Sequence, residues 1–247
     1  MARNPCSDKD PGTRHTRVPR WRTRVLSGHN GFVTSATQVS NAPARTLPNR
    51  PSMVSVGTMV WLTSELMFFA GLFAMFFTLR SSRPELWAER SGELDIFLAT
   101  VITVVLVASS VTAQFGVFAA ERHQPRRTGG LLSVARWGMV EWYILSFIMG
   151  AIFIAGQTYE FAVLVTHGVT ISADAFGSAF YITTGFHGLH VVAGLVAFLF
   201  VIARAYFSVK FTHKEASAAV VVSYYWHFVD VVWIALFGVV YILPGLI

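Results

Sequence analysis

Five long apolar runs constrain this chain more than any other feature of its sequence. A bilayer core takes about 20 helical residues to cross, and runs able to do so fall at residues 53–79, 96–120, 137–157, 179–203 and 218–243. The second and fourth are richest in Val, Leu, Phe and Ala; polar or ionisable residues interrupt several of the runs. In lipid each backbone N–H and C=O must find its partner within the protein, so isolated runs of this kind become helices. The expected fold is therefore all-α, a polytopic bundle with five transmembrane helices. Composition agrees, because only 13% of the residues are charged, against about 25% in ordinary soluble domains.

The basic residues give a direction. Nine Lys and Arg precede the first span, Arg122, Arg126, Arg127 and Arg136 follow the second, and Arg204, Lys210 and Lys214 follow the fourth. The opposite loops hold Arg80, Arg83 and Arg90, offset by Glu85, Glu89 and Glu93. The positive-inside rule then places the N-terminus in the cytoplasm and the C-terminus outside. With the basic residues placed this way, the net charge of +6 does not point to nucleic acid. Residues 1–52, rich in Pro, Ser, Thr, Asn and Arg, lack sustained periodicity and are expected to be a disordered basic tail. Its arginines suit anionic headgroups, and it has no apolar core of a secretory signal. The structured domain is expected over 53–247. Cys6, the sole cysteine, excludes an internal disulfide, a CxxC centre, a thiolate-bridged copper pair and c-type haem attachment.

Ionisable residues recur at one depth. At 1.5 Å per residue, Glu65 lies about 18 Å along its span, His190 about 16 Å into the fourth and Asp230 about 18 Å into the fifth. A charged group at that depth is costly against lipid, so an internal polar cluster is expected. His187 and His190 share a helical face, as do His227 and Asp230; the aspartate is placed to accept from the ring and fix its tautomer. A His–Glu contact between helices can share one proton and avoid burying two full charges. Glu141 falls near one end of the third span. Gln157 and Glu160 fall near its other end, where they can reach the interface. The histidines leave three readings open: structural hydrogen bonding, proton exchange, or ligation of a metal or haem. The last lacks support, since there is no HExxH, no cysteine set and no suitably spaced histidine pair on each of two helices. No metal site and no catalytic residue is assigned.

Three stretches taken together, WLTSELMFFAGLFAMFF (61–77), THGVTISADAFGSAFYITTGFHGLHVVAGL (166–195) and SYYWHFVDVVWIALFGVVYIL (223–243), resemble subunit III of the haem–copper respiratory oxidases, specifically cytochrome c oxidase subunit III. FHGLHV followed by YYWHFVDVVW is the specific part of the likeness. The family often has seven spans in two groups around a lipid-filled cleft; this sequence lacks the first two and looks like the five-span bacterial form. The resemblance implies a subunit without redox centres, in an aa3-type complex that reduces oxygen to water and pumps protons. Its implied work is assembly, lipid binding, proton uptake and stability during turnover. It implies haem a and copper in partner subunits, subunits I and II as partners with subunit I the main packing surface, bound phospholipid, a possible place in a respiratory supercomplex, and residence in a bacterial cell membrane. Glu65 matches the family's buried, carbodiimide-reactive glutamate, and His187 and His190 its paired histidines. Glu160 fits the acid of a QxxEY-like segment in which Phe161 replaces Tyr. The subunit of a quinol oxidase is the near alternative, and a stand-alone transporter or proton channel the distant one.

Overall fold

The computed structural model describes residues 53–130, 133–207 and 213–245; the tail 1–52 lies outside them. The described residues are helical and contain no strand. They form α1 (Met53–Ser82), α2 (Pro84–Ser91), α3 (Ile96–Glu121), α4 (Met139–Thr166), α5 (Ala175–Phe207) and α6 (His213–Phe237). A π-helical turn, Gly238–Ile242, prolongs α6. Five helices are long and apolar enough to cross a membrane: α1, α3, α4, α5 and the stretch Ala216–Ile242.

Local chemistry sets the helix ends. Asp95 caps α3 by accepting from the Leu98 amide at 2.9 Å, a standard way to satisfy an orphan donor in the first turn. Glu141 folds back onto the Gly138 amide at 3.1 Å and closes the start of α4, so this acid is a cap. α2, which hydropathy does not reveal, starts on Pro84 and seats Trp87 in the core at 2% exposure. Proline at the first helical position loses no hydrogen bond there. The expected third span was too short: α4 runs on to Thr166, and Gln157 and Glu160, which lower the hydropathy there, are buried within the bundle.

α5 and α6 are central: α6 packs against α1, α3 and α5, and α5 against α1, α4 and α6, while α4 closes the bundle by contacting both α3 and α5. α1 touches α5 and α6 and buries only Thr58, Phe69 and Phe76. Small residues let the other helices approach closely, as membrane bundles require. A Cβ on Gly150 would meet the Trp226 ring at 2.6 Å, and one on Gly194 the same ring at 2.8 Å. Three of the buried aromatics also satisfy their polar ends. Trp226 Nε1 donates to Ser109 Oγ at 2.9 Å, Trp233 Nε1 to Thr103 Oγ1 at 2.9 Å, and the Tyr143 hydroxyl to the Ala219 carbonyl at 2.8 Å.

Candidate functional site

Glu65 on α1 and His190 on α5 meet, with Oε2 and Nε2 3.3 Å apart. The other ring nitrogen, Nδ1, lies 2.7 Å from the Phe186 carbonyl. A carbonyl only accepts, so Nδ1 carries a proton. Two states then fit the contact with Glu65: a neutral imidazole accepting from a protonated carboxyl, or an imidazolium donating to a carboxylate. Either way a single proton lies between Nε2 and Oε2, and the pair has no net charge. Phe69 meets the His190 ring edge-on at 4.9 Å, and the Tyr225 hydroxyl donates to the His190 carbonyl at 2.9 Å. Tyr225 in turn stacks on Trp61 at 5.4 Å. Beside the pair runs a groove of 470 Å³, whose wall includes Trp61, Phe186, His190 and Tyr225.

His187 turns elsewhere. It is fully buried, between Trp233 at 4.8 Å and Phe153 at 5.9 Å. Its Nε2 donates to the Val229 carbonyl at 3.3 Å, and Nδ1 has no hydrogen-bond partner. The i,i+3 spacing thus sends one histidine to α1 and the other to α6.

A second polar cluster occupies the α3–α6 seam. The expected direct contact of His227 with Asp230 does not form. Ser110 of α3 wedges between them, its hydroxyl donating to Asp230 Oδ2 and lying 3.0 Å from His227 Nδ1. His227 Nε2 is 3.2 Å from Gln114 Oε1. With Ser110 donating to the acid, Nδ1 must be the donor toward Ser110; the Gln114 amide can turn either its oxygen or its nitrogen to Nε2. Neutral and protonated rings are therefore both accommodated. Asp230 Oδ1 is buried without a partner. Ser110 and Gln114 escaped the sequence reading, although the run SSVTAQ inside an otherwise apolar helix was the available signal.

Gln157 and Glu160 are also placed differently from expectation. They are buried, at 3% and 2% exposure, because they face α5 and the π turn. The Tyr241 hydroxyl donates to Glu160 Oε2 at 2.8 Å, and Gln157 Nε2 reaches the Thr184 carbonyl at 3.5 Å. Phe161 packs on Tyr181 at 4.9 Å, and the Tyr181 hydroxyl donates to the Phe161 carbonyl at 3.3 Å. Outside them the loops are tied by Arg90–Asp174 and His167–Glu93, each at 3.0 Å.

Among the described residues no three His, Cys, Asp or Glu side chains converge as a metal-ligand set. His190 and His227 have both ring nitrogens engaged by backbone or side-chain groups, whereas His187 lies fully buried between Trp233 and Phe153. The arrangement can hold protons and link helices.

The fold and its sites define a membrane protein with five candidate spans and polar contacts between its helices, and sequence comparison narrows that class. Residues 48–244 match the family described as cytochrome c oxidase subunit III. A probable cytochrome c oxidase subunit 3 of Mycobacterium leprae is 55% identical over 193 residues, which is 78% of this chain and 89% of the relative. The subunit 3 of Corynebacterium diphtheriae is 55% identical over 195 residues, with the same coverage. That of Thermostichus vulcanus is 36% identical over 193 residues, again 78% of this chain and 89% of the relative. The chain belongs to the cytochrome c oxidase subunit III family. It is accordingly a subunit of a respiratory oxidoreductase complex, within which it assembles with other oxidase subunits.

Proposed function

We propose that this chain is the non-redox subunit of an aa3-type cytochrome c oxidase in a bacterial cell membrane, with its N-terminus cytoplasmic and its C-terminus outside. It packs mainly on subunit I, contacts subunit II, and supports assembly, proton uptake and endurance during turnover. The observation that carries this reading is the Glu65–His190 pair: the Phe186 carbonyl fixes one ring proton, leaving a single proton to pass between ring and carboxyl. Such a pair can pass a proton between ring and carboxyl without redox chemistry. Oxygen reduction then belongs to haem a and copper in the partner subunits. The apolar groove beside the pair, continued by a second of 470 Å³ along Ala193, Ala197, Val221 and Val222, suits phospholipid acyl chains. The distribution of basic residues supports the orientation.

Fractionating the native complex tests this reading. Haem, copper and the visible spectrum should follow the partner subunits, and this chain should separate without stoichiometric haem, copper or zinc. An equimolar metal or a Soret band on this chain would overturn it. A two-copper centre in the soluble domain of subunit II marks cytochrome c as donor; a subunit II without that centre marks a quinol oxidase.

A further inference from the structure

At the arginine-bearing end of α3 and α4 lies a second, amphipathic pocket, on a different seam from the Glu65–His190 groove. Its volume is 580 Å³, and its wall includes Phe115, Phe118, Arg122, Gln124, Trp137 and Trp142. Ring contacts make one side nearly continuous: Phe115 lies 5.0 Å from Trp142, and Trp142 lies 5.1 Å from Trp137. Phe115 and Phe118 keep 45% and 42% of their surface open. Arg122, at the C-cap of α3, is exposed at the mouth.

Two features place the pocket at the membrane–water boundary. Arg122 follows directly on the last residue of a 26-residue apolar helix, where the hydrocarbon gives way to headgroups. Tryptophans gather at that level because their rings are apolar and their N–H is polar. The floor of the pocket is also built. The Gln124 and Pro125 carbonyls accept from the Met139 and Val140 amides at 3.0 and 3.1 Å, which pins the loop over the start of α4. Arg126 is held apart, over the Tyr206 ring at 4.7 Å, leaving Arg122 as the cation of the wall. Glu121, the adjacent acid, does not line the pocket.

We propose that this pocket binds an anionic glycerophospholipid. Arg122 and the Gln124 amide receive the phosphate, and an acyl chain lies over Phe115, Phe118 and Trp142. Charge complementarity selects this occupant: Arg122 makes the mouth cationic and the walls are aromatic. An uncharged or zwitterionic lipid would use the aromatic wall but gain less from the arginine. A helix of a partner subunit would have to bury Arg122 against its own chain. The proposal rests on the membrane embedding of the five helices and is independent of the proton-handling reading.

The test uses the whole oxidase in phosphatidylcholine nanodiscs carrying a trace of photoactivatable lipid, either phosphatidylglycerol or phosphatidylcholine, with cross-links mapped by peptide mass spectrometry. The phosphatidylglycerol probe should label the segment from Phe115 to Trp142 several-fold more than the phosphatidylcholine probe. Arg122→Gln should remove that preference, whereas Arg127→Gln, outside the pocket wall, should preserve it. Equal labelling by both probes in the parent complex overturns the proposal without recourse to any variant. So does an unchanged preference in Arg122→Gln, or cross-linking that shows a partner subunit filling the pocket.

Discussion

Glu65 and His190 show why an acid persists in a span with few other polar groups. Charged and alone at the bilayer centre it would be costly, but paired with a ring whose second nitrogen is already committed to a carbonyl it holds one proton and no net charge. Glu65→Gln keeps the shape and can donate from its amide to Nε2, so the subunit should stay in the purified complex at parental levels. Glu65→Leu leaves Nε2 without a partner, at a cost of about 1–3 kcal/mol, and should reduce retention. Quantitative native gels separate the two; equal retention of both variants would show that the contact has no structural weight. His190→Asn should weaken retention or hasten activity decay more than it lowers the first measured rate of oxygen consumption. Normal assembly and decay with abolished initial electron transfer would instead give the histidine a catalytic role. Depth and i,i+3 spacing made Glu65, His190, His227 and Asp230 legible in the sequence as polar residues inside the bundle. Spacing could not reveal which neighbour each ring finds: Ser110 intervenes between His227 and Asp230, and His187 turns to the Val229 carbonyl.

Helix packing depends on a few glycines facing one tryptophan. Trp226 fills the space where α4, α5 and α6 converge, and the missing side chains of Gly150 and Gly194 admit its ring. Gly150→Ala puts a methyl group against the outer edge of the indole, so it should destabilise the subunit by about 1–3 kcal/mol through overpacking. In a Trp226→Phe background the same change should cost less, because the smaller ring lacks the indole atoms that clash and leaves Leu195 Cδ2, at 2.9 Å, in the way. A double-mutant cycle on thermal release of the subunit measures this coupling; additive effects would contradict the packing account. Hydropathy found five helices because lipid demands long apolar runs. It underestimated α4 because Gln157 and Glu160 read as interface residues, yet bond inward to Thr184 and Tyr241. It passed over α2 altogether, since eight residues carry no membrane signal.

For the whole molecule, the sequence disclosed the family through a composite of motifs spread over three helices, while the division of labour rests on chemistry. The Glu65–His190 seam holds a shared proton, and the groove beside it is apolar. On the proposed function, this chain supplies the endurance of the oxidase and its partners carry electron transfer. Oxygen consumption followed from the first turnovers onward, in the intact complex and in the complex stripped of this chain, measures that division directly. The stripped complex should begin near the parental rate with an unchanged haem spectrum and then lose activity sooner. Loss of electron transfer in the first turnovers, with subunits I and II still assembled and their spectrum intact, would contradict the account.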